Sequence, residues 1–118
     1  MTLTTEARNA ACNGVVDLLN SGTIVFHTSG ESEVATCTFG ATAFGDAAVG
    51  VATANAIADD TTATGGTIAH AHLRKSDTTE LALCTTAVGS GDFNMTSLVI
   101  GAGDTVSVTS LTVTQPAS

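Results

Sequence analysis

The sequence predicts a mainly β domain, of the β-sandwich or jelly-roll-like antiparallel kind, with one N-terminal α-helix. Three observations carry that class. Apolar residues recur at helical spacing only between residues 5 and 20. From Thr23 onward the spacing changes to two, in stretches rich in Thr and Val. Gly-rich turns divide that remainder into six or seven short strands. A chain of 118 residues without a linker or internal repeat reads as one domain, 1–118.

The helix is expected over "TEARNAACNGVVDLLN", residues 5–20. Thr4 or Thr5 can cap it, and Glu6 in the first turn suits the helix dipole. Ala7, Ala11, Val15, Leu18 and Leu19 make the apolar stripe, with the arginine and the acids off it. Gly22 is the expected stop. "TIVFHT" (23–28) and "EVATCTF" (33–39) follow as strands joined by the turn "SGES". In the second of these, Ala35, Cys37 and Phe39 are expected to face inward. Residues 40–66 have little periodicity and read as a long loop, with a strand expected near Val49 to Ala54. "TIAHAHLRK" (67–75) should pair with "ELALCTTAV" (80–88) through "SDTT". "FNMTSLVI" (93–100) and "TVSVTSLTVT" (105–114) complete the strands. In the last one Val106 and Val108 disagree in parity with Leu111 and Val113, and a bulge near Thr109 or Ser110 would reconcile them. The core is light: Phe26, Phe39, Phe44 and Phe93 with aliphatics, and no Trp or Tyr.

A formal net charge of −8 with only three Lys and Arg argues against nucleic acid and against anionic membrane surfaces as partners. The N-terminus lacks a basic stretch followed by an apolar run, so synthesis and first residence in a cytoplasm are expected. Cys12, Cys37 and Cys84 read as small buried thiols, with a Cys37–Cys84 bridge between facing strands as the alternative.

Chemistry-bearing residues concentrate in "TIAHAHLRK", which holds two of the three histidines. On a strand, Ile68, His70, His72 and Arg74 share one face, while Ala69, Ala71, Leu73 and Lys75 share the other. The second face suits the core, so the histidines and Arg74 are expected to point outward as a polar or partner-facing stripe. His70 and His72 are weak metal candidates. His27 is the one further histidine, Asp77 or Glu80 would have to assist, and Arg74 would repel a cation. Asp59 and Asp60 read as a solvated acidic pair. No G-x-S-x-G motif, cysteine–histidine spacing or dinucleotide fingerprint stands in the chain, so no catalytic residue and no cofactor is assigned and an enzyme is not expected.

Three strings resemble a known family. "LTTEARNAACNGVVDLLNSGTIVF" is similar to the opening of small tailed-bacteriophage virion proteins regarded as head decoration, or cement, proteins. "FGDAAVGVATANAIADDTTATGGTIAHAHLRKSD" resembles their middle section, and "GSGDFNMTSLVIGAGDTVSVTSLTVT" resembles their end. The likeness spans nearly the whole chain; "HTSGES" stands where the family carries a longer segment. It implies a virion structural protein on the capsid surface, made in the host bacterial cytoplasm. Its partners would be the major capsid protein and copies of itself, as homotrimers or homodimers. His70, His72, Arg74, Lys75, Asp59 and Asp60 are the interface residues expected on that reading, with the helix and the loop 45–66 supplying further contacts. A phage tail or tail-tip β-module is the alternative. A secreted carbohydrate-binding or adhesin-like module ranks below it, because sugar sites lean on aromatic rings.

Overall fold

The computed structural model describes residues 1–88, 93–95 and 97–117. Thr4 starts the helix by accepting a hydrogen bond from the Ala7 N–H at 3.2 Å. Helix α1 (Thr5–Val16) then tightens into a 3₁₀ turn over Asp17–Leu19, so the regular helix is shorter than the expected 5–20.

The buried face also differs from the expected stripe. Cys12, Val16 and Leu19 enter the core, while Val15 and Leu18 stay 43% and 45% exposed. The helix is turned by polar clamps that an apolar count cannot see. Asn9 Oδ1 accepts from the Gly50 N–H and Asn13 Oδ1 from the Ala47 N–H, both at 2.8 Å. Just beyond the helix, Asn20 Oδ1 accepts from the Ala43 N–H at 2.9 Å. Arg8, expected off the packed face, lies on it: its Nε donates to the Gln115 carbonyl at 3.1 Å. Cys12 Sγ reaches the Val113 carbonyl at 3.3 Å.

The strands run β1 (Thr23–His27), β2 (Glu33–Phe39), β3 (Val51–Thr53), β4 (Ile57–Ala58), β5 (Gly66–Thr67) and β6 (His70–Arg74). They continue with β7 (Glu80–Val88), β8 (Phe93–Met95), β9 (Val99–Ile100) and β10 (Thr112–Thr114). The main sheet has the order β4-β2-β1-β6-β7-β8; its first five strands are antiparallel and β8 lies parallel to β7. β3 with β10, and β5 with β9, form two short ribbons. The fold is thus mainly β with one N-terminal helix, as the sequence predicts. Among the described residues, one large sheet and two ribbons stand where a jelly-roll would have two comparable sheets.

One sheet face carries Ile24, Phe26, Ala35, Cys37, Ala71 and Leu73 into the core, against Cys12, Val16 and Leu19 of the helix end. Phe39 and Phe44 pack ring to ring at 5.6 Å. The side chain of Phe93 lies outside the described residues. Val34 breaks the inward alternation and is also buried. The register shifts between Phe26 and His27, so Val34 is the extra residue of a bulge and joins Ala35 on the core side.

Two other expectations are corrected. Residues 67–75 are not one strand: β5 ends at Thr67, and β6 starts at His70. Ile68 between them is buried, with its N–H on the Leu98 carbonyl at 2.8 Å. In the stretch 105–114 the chain leaves regular strand geometry between an isolated bridge at Val106 and β10, in place of a bulge. That irregular path lets Val106 and Leu111, of opposite parity, both reach the core. A Cys37–Cys84 bridge is excluded by topology. β2 and β7 are three strand spacings apart, roughly 14 Å, beyond any disulfide's reach. All three cysteines are free and buried, and burial pushes the Cys37 thiol above its ordinary range.

Candidate functional site

Antiparallel pairing of β1 with β6 sets Val25 opposite His72 and His27 opposite His70. The three histidines therefore share the sheet face turned away from the main core. Their rings gather closely. The His27 and His72 centroids are 4.6 Å apart, His70 and His72 4.9 Å, and His27 and His70 5.8 Å.

The fourth member comes from the β1–β2 turn. Thr28 and Ser32 close that turn through the Thr28 N–H on the Ser32 carbonyl at 2.9 Å. Glu31 sits within it at φ +68°, in the left-handed region, where a side chain other than Gly is disfavoured. From there the carboxylate swings over the histidines. Glu31 Oε1 lies 2.9 Å from His70 Nε2, and Oε2 lies 3.2 Å from His72 Nε2. On the far side of His72, Glu80 Oε1 lies against Nδ1. The His70–Glu31 and His72–Glu80 contacts are close approaches of imidazole nitrogen to carboxylate oxygen rather than aligned hydrogen bonds.

The cluster is not the solvated stripe that strand parity suggests. His72 is 7% exposed and His27 5%, because the rings and the flanking carboxylates cover one another. His27 Nδ1 is buried without a hydrogen-bond partner. Burial, then His72 and Arg74, hold the His27 imidazole below its ordinary pKa, which favours the neutral ring. The His70 ring foremost, then His72, hold the Glu31 carboxyl below the usual carboxylate range. One potential ligand atom from each of His27, Glu31, His70 and His72 lies within 4.8 Å of all the others.

The remaining expected residues are dispersed. Arg74 is half-buried beside the cluster, opposite Thr23 and Glu80. Lys75 Nζ stands 3.9 Å from Asp77 Oδ2. Asp59 is exposed. Asp60, read as solvated, ties the loop 59–65 to β2. Its Oδ2 accepts from the Thr36 N–H at 2.8 Å and its Oδ1 from the Thr62 N–H at 2.9 Å. Beside it the Val34 carbonyl accepts from the N–H groups of Thr64 and Gly65.

Those two hydrogen bonds, Thr36's foremost, hold the Asp60 carboxyl below its ordinary pKa. A lowered folded-state pKa contributes stability that is present above the unfolded value of 3.8 and is lost as pH falls through the folded value. Asp60→Asn, which keeps one acceptor oxygen for two donors, should cost about 1–2 kcal/mol near neutral pH. The gap to wild type should narrow below about pH 3.5. Urea melts of both proteins across that range check this; a gap independent of pH would refute the role.

No family model matches the chain, and no curated protein or solved structure matches it. No helix among the described residues is long and apolar enough to cross a membrane.

Proposed function

We propose that the protein is a virion structural protein, which binds the outer surface of a phage capsid and stabilises it as a decoration protein. The motif resemblance supports this reading, and one structural observation carries it further. Val49 sits at the tip of the turn between Ala48 and Val51, at φ +50° and 63% exposed, followed by Gly50 at φ +74°. A β-branched residue in the left-handed region is strained, and an exposed apolar side chain returns nothing to the isolated fold. Such a residue makes sense as a contact used against something else. It lies in the loop expected to supply contacts, and exposed Val15 and Leu18 lie on the helix named with it and on the 3₁₀ turn that closes that helix. The activity is binding repeated over a symmetric lattice, where modest contacts add through multivalency.

Val49→Asn is the discriminating variant, because Asn tolerates this backbone region. It should raise Tm by a few degrees while weakening binding to decoration-free capsids about tenfold or more. An unchanged affinity would remove Val49 from the interface. Quantitative mass spectrometry of virions tests the reading as a whole. Copies in the hundreds, in simple ratio to the major capsid protein, support it; a handful would place the chain in the tail, and none would overturn it.

A further inference from the structure

We propose that His27, Glu31, His70 and His72 form a structural binding site for one divalent transition-metal ion, with zinc as the preferred occupant. The site shares His70 and His72 with the interface residues expected on the decoration reading, but it stands on its own geometry and does not depend on that reading.

The donor set is three imidazoles and one carboxylate, which suits four-coordinate zinc. Ligand atoms of a tetrahedral zinc site lie roughly 3.4 Å apart, as bond lengths near 2.1 Å require. The four atoms here already lie within 4.8 Å of one another, so small rotations of side chains suffice. Two of the histidines are nine-tenths buried, and the His27 Nδ1 atom lacks any other partner. An uncommitted imidazole nitrogen in such a place is costly unless something occupies it.

Second-layer geometry agrees. His72 turns Nε2 toward Glu31 and the centre of the cluster, while Nδ1 abuts Glu80. A carboxylate behind a ligating imidazole fixes the tautomer and raises the ligand's basicity. Charge is balanced as well. A dication against Glu31 and Glu80 is neutralised, which answers the repulsion expected from Arg74.

All four ligands are supplied by the protein, so the site is closed and its role is mechanical. It ties the β1–β2 turn to β6 and fixes Glu31 in its disfavoured conformation. The expected residues His70 and His72 are thus half of the set. His27 follows from strand pairing, and Glu31 from a turn that no periodicity records.

The test uses the full chain, reduced and stripped with a chelator, and Zn²⁺ alone as the probe. One zinc per chain should be retained through gel filtration. Tm should rise by about 5 °C or more at a hundredfold excess over Kd. Glu31→Gln, an exposed change that leaves the sheet intact, should weaken binding about a hundredfold. Glu80→Gln should weaken it about tenfold or more. Cobalt substitution should give tetrahedral-type visible bands without thiolate-to-metal charge transfer. Absence of stoichiometric uptake, equal affinity in Glu31→Gln, or a thiolate signature assigning the metal to cysteine would each overturn the proposal.

Discussion

Gly22→Ala should be among the most damaging single substitutions in the chain, lowering stability by about 3 kcal/mol or more. A Cβ built at Gly22 would stand 2.2 Å from the Arg74 carbonyl oxygen and 2.9 Å from that of Leu19. Both are backbone atoms, so no side-chain rotation relieves the clash. Overpacking by one methyl usually costs about 1–3 kcal/mol, and more where main chain must move. What must move is informative. Gly22 leads into β1, and Arg74 ends β6, so the same two strands that pair His27 with His70 would be wedged apart. Chemical denaturation should show the loss, and zinc affinity should fall with it. A Gly22→Ala protein within 1 kcal/mol of wild type would mean that the strands separate freely at this point.

Asn13→Leu should cost about 2 kcal/mol, although it places a good helix former on a helix. The substitution leaves the Ala47 N–H without its partner at a half-buried contact. Asn13→Asp keeps an acceptor oxygen at the same reach and should retain most of the stability. Combining Asn9→Leu with Asn13→Leu also frees the Gly50 N–H and should cost about 2–4 kcal/mol, with the loop 43–50 the first segment to exchange its amide protons. Equal losses for Leu and Asp at position 13 would show that shape, not the hydrogen bond, holds the helix in place.

These two predictions also mark what the sequence made legible. Strands with period two were readable at Glu33–Phe39 and Glu80–Val88, whose observed bounds agree with expectation. The helix start at Thr4 followed from capping chemistry, and its end came early. Its orientation was not readable. Hydrophobic counting gives weight to Val15 and Leu18 and none to Asn9 and Asn13, whose hydrogen bonds decide which side meets the loop. The same blindness affected the histidines. Parity placed His70 and His72 on one face correctly. Their gathering with Glu31 was not readable, because Glu31 reaches them through a backbone conformation that residue type disfavours. Asp60 was misread for a related reason, because an acidic pair in a loop looks solvated until its backbone partners are known.

The tie that Asp60, Thr64 and Gly65 make to β2 has a consequence for how copies of this chain can meet. β4 covers only Thr38 and Phe39, so most of the outer rim of β2 would otherwise offer bare amides and carbonyls to any passing strand. Thr36 N–H is taken by a carboxylate and the Val34 carbonyl by two N–H groups of an irregular segment. Neither is a template for a further strand. On this flank the molecule resists open-ended polymerisation by strand addition. Association there must proceed through side chains, which can be selective in a way that backbone pairing is not.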